Sequence, residues 1–313
     1  MERKHKKYEE LIERCKGLPP APTAVVHPCD ETSLAGALDA AKLDLIAPIL
    51  VGPATRIRAL AASLGLDVSP YHIVDAPHSH ASAEKAVEVV RLGQAEALMK
   101  GSLHTDELMS EVVARDTGLR TARRISHCFV MDVPGHADAL IITDAAVNIA
   151  PTLEDKVDIV QNAIDLAQAL GIREVRVAIL SATETVSPKV PSTIEAAALC
   201  KMADRGQITG AILDGPLALD NAISLDAARI KKIDSPVAGR ANVLVVPDLE
   251  SGNMLAKSLT FLAGADAAGV VLGARVPIIL TSRADSVLAR LASCAVAVLV
   301  AKARRDQAAR AVS

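Results

Sequence analysis

Two kinds of apolar pattern alternate along almost the whole chain: compact aliphatic runs, and longer stretches in which apolar positions recur every three or four residues. The compact runs predict strands at 24–26, 48–51, 72–74, 97–100, 128–131, 140–143, 176–180, 210–213, 243–246, 269–272 and 278–280. The recurring pattern predicts amphipathic helices, among them 53–64, 83–92, 153–170, 193–205, 253–262 and 286–301. Near the N-terminus Tyr8, Leu11, Ile12 and Cys15 follow helical spacing, with the basic cluster before them read as the solvated end of that helix. Continuous apolar strands with intervening helices mean βαβ units and a sheet covered on both faces. Segment 131–136, rich in turn formers between two apolar runs, is either a hinge or a hairpin.

Composition narrows this picture. A chain of 313 residues accommodates two domains of roughly 150 residues each. Half of it is hydrophobic and its formal net charge is only −3, which excludes a disordered polyelectrolyte. The absence of a basic surplus, with Trp 0, Tyr 2 and Phe 2, argues against nucleic acid as a partner. The core must therefore be built from Ala, Val, Leu and Ile. No apolar run approaches the ~20 residues of a membrane helix, the best being 294–301, and no apolar stretch follows the basic N-terminus to make a secretory signal. Five cysteines without a CxxC pair read as free thiols in a reducing cytoplasm.

In a parallel sheet, ligands gather beyond the carboxyl ends of strands, where loops feed helix N-termini. Four such junctions carry polar residues. In Val246-Pro-Asp-Leu-Glu-Ser-Gly-Asn253 a helix is expected to begin near Gly252 and Asn253, with Lys257 one turn on. Its free N–H groups and Lys257 can hold an anion, or Ser251 or Asn253 is an N-cap and Lys257 a surface lysine. In Leu280-Thr-Ser-Arg-Ala-Asp285, Ser282 can donate to an oxyanion and Arg283 can grip phosphate, while Asp285 is a proton acceptor or a cap. In Met99-Lys-Gly-Ser-Leu-His104, Lys100 and Gly101 end a strand, and Thr105 or Asp106 is expected to cap the next helix. His104 is a ligand or a structural histidine. A fourth group holds Asp144 and Asn148, then Ser192 or Thr193 as a helix cap with Glu195 nearby, then Asp214-Gly-Pro216 after a strand. No Walker loop, early GxGxxG, GxSxG elbow or HExxH-type pair occurs, so a P-loop enzyme, a standard α/β-hydrolase and a catalytic zinc site are not expected.

Taken in order, the strings MKGSLH, ITDAAVN, VPST, ILDGP, VPDLESGN and LTSRAD resemble the phosphate acetyltransferase/phosphate butyryltransferase family, closer to its butyryl branch. The likeness runs from about Ala21 to the C-terminus. It implies an α/β fold of two α/β/α domains with a cleft between them, similar to isocitrate and isopropylmalate dehydrogenases. Residues 1–130 with 270–313 would form one domain and 131–269 the other. It implies a homodimer that exchanges an acyl group between coenzyme A and inorganic phosphate, needing no metal or prosthetic group. By motif, Ser282 matches the serine that stabilises the reacting thiol and tetrahedral centre, and Arg283 the arginine that handles phosphate. The acetyl branch places a catalytic aspartate several residues after the serine. Here residues 287–291 carry no carboxylate, leaving Asp285. Lys100 and Arg115 are the residues at hand for a further arginine of that branch. Acyl-carrier-protein:phosphate transfer, a dehydrogenase of similar fold and a non-catalytic acyl phosphate or coenzyme A sensor are the alternatives.

Overall fold

The computed structural model describes residues 6–281 and 285–312. Its strands are β1 (Ala21–Val26), β2 (Ile46–Gly52), β3 (Ile73–Asp75), β4 (Ala97–Lys100), β5 (Ser126–Asp132), β6 (Leu140–Thr143), β7 (Arg176–Leu180), β8 (Ile212–Leu217), β9 (Val243–Val245), β10 (Asp266–Leu272) and β11 (Ile278–Ile279). Its helices are α1 (Lys6–Glu13), α2 (Glu31–Lys42), α3 (Ala54–Ser63), α4 (Ser79–Arg91), α5 (Thr105–Val112), α6 (Leu153–Ala169), α7 (Pro191–Asp204), α8 (Leu219–Ile223), α9 (Leu225–Ile230), α10 (Leu249–Leu262) and α11 (Val287–Val312). The chain forms two compact units. One comprises Tyr8–Arg123 and the chain from Ala268 onward; the other is Arg124–Ala267, joined by Lys7.

In the first unit the strand order is β3-β2-β1-β4-β11-β10. Val25 lies opposite Leu50 of β2 and Met99 of β4, all in parallel register, and only β10–β11 is antiparallel. The aliphatic side chains of β1 and β4 are buried because helices cover both sheet faces. Asp30 caps α2 by accepting the Ser33 N–H at 2.8 Å, which fixes where the chain leaving β1 turns helical. The α2 segment escapes the sequence pattern because its buried face relies on Ala37, Ala40 and Gly36 beside Leu34 and Leu38. The last helix outruns its expected end at 301, since the polar tail to Val312 is rich in Ala, Arg and Lys and carries a Lys302–Asp306 ion pair.

The second unit has the order β5-β6-β9-β7-β8. Segment 131–136 proves to be a hairpin, with Met131 opposite Leu140 and β5 antiparallel to β6. The remaining pairs are parallel. Its core gathers Met131, Ile142, Ala178, Leu217, Leu244 and Ala256. The DGP string lies inside edge strand β8 and not after a strand. There Gly215 sits where a Cβ would be 2.7 Å from the Ile179 carbonyl oxygen, beside a register shift against β7. An edge tolerates Pro216, which removes a ladder donor. No helix among the described residues is long and apolar enough to cross a membrane. The five cysteines are unpaired. Burial raises the thiol pKa to about 11 at Cys15, to about 12 at Cys128, Cys200 and Cys294, and upward at Cys29.

Candidate active site

In the second unit, Asp144 follows the last residue of β6 and is buried. Its Oδ1 accepts the N–H groups of Ala146 (2.9 Å) and Val147 (3.0 Å). Oδ2 accepts from the backbone of His127 (3.2 Å) and Asn148 (3.2 Å) and from Asn148 Nδ2 (2.6 Å). With five donors, this carboxylate is saturated by its own chain, so its work is to shape the 144–148 turn. Asn148 is similarly engaged, donating to the Ile125 carbonyl at 2.9 Å and accepting from Arg124 Nε at 2.8 Å. Both residues thus hold the shape of the loop that follows β6.

That loop supports the PDLESGN segment. The N-cap of α10 is Asp248, which accepts the Ser251 N–H at 2.8 Å and its hydroxyl at 2.5 Å, so neither Ser251 nor Asn253 is the cap. These bonds from Ser251 hold the Asp248 carboxyl below the usual carboxylate range. Gly252 lies in the first turn, where a Cβ would stand 2.8 Å from the Asp144 carbonyl oxygen and 2.8 Å from Val246 Cγ2. The glycine lets the helix start rest directly on the Asp144 turn. Asn253 Nδ2 donates to the Ala145 carbonyl at 3.2 Å, adding a second tie. Lys257 is exposed on the solvent side of α10.

Sequence reasoning missed two cations beside this platform. Lys156 on α6 is buried and pairs with Glu195 of α7, and it also lowers the Asp248 pKa. Its signal was its phase: with Val160, Ala163 and Ala167 it occupies the buried face of α6. Arg124 bridges Asn148 and Asp155 (3.2 Å) with half its side chain in solvent. Glu195 is therefore an ion-pair partner and not part of a capping box. Helix α7 begins at Pro191 with Val190 as N-cap, so neither Ser192 nor Thr193 caps it. Ser192 shares a 2.8 Å hydroxyl contact with Ser181 at the end of β7. Asp214 accepts the N–H of Gly215 at 2.8 Å.

In the first unit, Lys100 ends β4 and Gly101 crosses the end of β1, where a Cβ would meet the Val26 carbonyl oxygen at 2.2 Å. Ser102 donates to the His27 carbonyl at 2.8 Å, tying this loop to the β1 exit. His104 itself is the N-cap residue of α5, in place of Thr105 or Asp106, and its N–H donates to Glu107 at 2.8 Å. That bond, with Ser79, holds the Glu107 carboxyl low. A cavity of about 590 Å³ opens here, lined by His27, Arg56, Ser79, Ser102, His104 and Glu107 among others. Burial, then the Arg56 charge, lower the His27 pKa, so its imidazole is neutral at physiological pH. The cavity wall mixes hydroxyl, imidazole and guanidinium groups with the carboxylates of Asp30, Glu31 and Glu107. Ser282 and Arg283 lie outside the described residues, and Asp285 precedes α11.

Strand-end loops of this kind, presenting hydroxyl, amide and cationic groups on α/β units, suit transfer of an anionic group. The sequence profile described as "Phosphate acetyl/butaryl transferase" matches residues 79–298, and the chain belongs to that family. It is 69% identical over 299 residues to a phosphate acetyltransferase of Rhizobium meliloti, spanning 96% of this chain and 95% of that one. It is 40% identical over 296 residues to a phosphate butyryltransferase of Clostridium acetobutylicum, spanning 95% of this chain and 98% of that one. A branched-chain phosphotransacylase from Enterococcus faecalis V583 shares the fold at TM-score 0.77 and 31% identity, covering 90% of this chain and 99% of that one. The α/β architecture and the family implied by the six strings are those found, and the dehydrogenase and sensor alternatives are not favoured. By identity, the acetyl-named relative is nearer than the butyryl-named one, where the strings had pointed to the butyryl branch.

Proposed function

We infer that the chain catalyses the reversible transfer of a short acyl group between coenzyme A and inorganic phosphate, giving acyl phosphate and the free thiol. The observation that carries this reading is the profile match over residues 79–298, which takes in every string that prompted the resemblance. Within it, Ser282 faces the thioester oxygen or sulfur and Arg283 holds phosphate. In the unit that also holds the LTSRAD string, the Lys100–His104 loop supplies further hydrogen bonds and charge. A tetrahedral dianion beside a thioester needs positioning and a donor where negative charge develops, and no redox centre. Transfer is direct, in a ternary complex. Burial keeps the thiol groups of the chain protonated, which disfavours a cysteine nucleophile. In the reverse direction the coenzyme A thiol, with an ordinary pKa of ~8.5, gives up its proton before it attacks acyl phosphate, so a weak base such as the Asp285 carboxylate suffices; in the forward direction the thiolate leaves and takes that proton back.

The protein works in the cytoplasm as a homodimer without a metal or prosthetic group. The exposed apolar side chains of α10, where Met254, Phe261 and Leu262 are 62%, 78% and 86% exposed, support self-association. The test is thiol release from acetyl-, propionyl- and butyryl-CoA with and without phosphate or arsenate. Release that requires the oxyanion is expected. An acyl-enzyme burst with acyl-CoA alone would remove direct transfer, and transfer from acyl carrier protein but not from coenzyme A would reassign the donor.

A further inference from the structure

His27 leaves β1 with φ +54°, a left-handed backbone that glycine takes freely and a residue with a side chain does not. The fold holds it there. Its N–H donates to the Val51 carbonyl at 2.7 Å, and its own carbonyl accepts from the Cys29 N–H (2.8 Å), the Ser102 N–H (3.0 Å) and the Ser102 hydroxyl (2.8 Å). Gly101 makes room, since a Cβ there would lie 2.7 Å from that same carbonyl oxygen. The residue is 7% exposed, and a neighbour fixes its tautomer. Ser82 spends its hydroxyl hydrogen on the His78 carbonyl at 2.8 Å, so its oxygen, 3.0 Å from His27 Nδ1, can only accept there. Nδ1 therefore carries the hydrogen and Nε2 the lone pair. Burial, then the Arg56 charge, keep the ring neutral. Nε2 has no hydrogen-bond partner among the described residues, and His27 lines the cavity of about 590 Å³. A strained backbone and a locked tautomer that end in an unused acceptor are not explained by stability.

The wall around that acceptor selects the ligand. Arg56 of α3 lines the same cavity; one N–H goes to the Cys29 carbonyl at 3.3 Å, which leaves further donors on the guanidinium. Asp30, Glu31 and Glu107 set three carboxylates against this one guanidinium, which disfavours a phosphate dianion. No Phe, Tyr or Trp stands among the described lining residues, so an adenine ring finds no stacking face. A neutral ligand with N–H donors and carbonyl acceptors answers both His27 and Arg56, and the volume suits a small molecule. Amides have this chemistry, and the pantetheine arm of coenzyme A carries them in series. We propose that the cavity binds this arm, with an amide N–H donated to His27 Nε2 and an amide oxygen held by Arg56. The choice of coenzyme A as the source of the amides rests on the acyl-transfer reading above.

The experiment titrates free pantetheine into the isotope-labelled full chain, following the His27 ring nitrogens by magnetic resonance and the affinity by calorimetry. His27 should show the Nδ1–H tautomer, and pantetheine should move its Nε2 resonance. Adenosine bisphosphate, the other end of coenzyme A, and inorganic phosphate should leave that resonance in place. His27→Asn keeps a donor for Ser82 and tolerates the left-handed backbone but has no acceptor at the Nε2 position. Its pantetheine Kd should rise about tenfold. His27→Gln, whose amide oxygen reaches further, should recover part of that loss, and Arg56→Gln should raise the Kd about threefold or more. An Nε2 resonance that pantetheine does not move, one that moves with the bisphosphate or phosphate instead, or a parental Kd in His27→Asn overturns the proposal. If His27→Asn does not fold, a parental Kd in Arg56→Gln overturns it. A parent chain that binds pantetheine at His27 and yet releases no thiol from acetyl-CoA with phosphate upholds the cavity assignment and overturns the acyl-transfer reading.

Discussion

His127 shows how one buried side chain couples folding to acidity. Its ring packs edge-on against Phe129 with centroids 4.4 Å apart, and Nδ1 has no partner. Burial lowers its pKa from 6.5 to about 4. The neutral form is the folded form, so between those values the unfolded chain takes up a proton that the folded chain refuses. Stability is full above pH 6.5 and falls as pH drops toward 4. His27, lowered for the same reason, adds to the slope with the same sign. Denaturant unfolding of His127→Phe is expected to show a flatter stability profile across this window than the parent; an equal slope would assign the effect elsewhere. Ser282→Ala belongs to the same scale: removing an oxyanion donor lowers kcat about 100-fold or more with little change in substrate affinity. Arg283→Gln should instead raise the phosphate KM. Wild-type values for both would remove these two residues from the chemistry.

At the scale of elements, the Asp144 turn and the start of α10 form one device. Gly252 sits mid-turn in a helix, where alanine ordinarily stabilises by up to about 1 kcal/mol. Here the new methyl would meet a backbone oxygen and a core valine at 2.8 Å each. Gly252→Ala should therefore destabilise by about 1–3 kcal/mol, read as a lower urea midpoint, whereas a gain would show that the helix start does not rest on the turn. The same device explains what was legible in the sequence. Strands announced themselves by aliphatic runs, so all eleven described strands were foreseen. Caps were read less well. Asp248 caps α10 locally through Ser251, a few residues before the expected start, His104 is tied to Glu107 within its own first turn, and Val190 precedes Pro191 with no side-chain cap bond at all. The five donors that gather on Asp144 were equally hidden, because Ala146, Val147 and Asn148 along the chain and the His127 backbone converge there only once the sheet has formed. Lys156 hid because its value depends on Glu195, thirty-nine positions away.

For the whole molecule, most of the strings that carried the family lie in strand-end loops, where functional groups gather, whereas ILDGP lies inside β8. The α2 helix, built on small residues, carried no such mark. Self-association is the property that belongs to this scale. Phe261 and Leu262 are among the most exposed apolar side chains described. If the proposed homodimer forms through this patch, Leu262→Asp with Phe261→Asp should shift the protein to monomer in sedimentation without changing the far-UV spectrum; an unchanged sedimentation coefficient would remove α10 from any such contact.

The silent sulfurs bear on the enzyme's traffic with its own product. The disulfide of coenzyme A, the oxidised form of the released thiol, exchanges with ionised cysteines to leave mixed disulfides, yet here even Cys29, at the cavity wall, is kept protonated by burial. Incubated with the disulfide of coenzyme A, the native protein should keep its mass and its turnover, while the unfolded chain gains adducts. Such a catalyst can release its thiol where some of it becomes oxidised and still keep its own sulfurs unmodified.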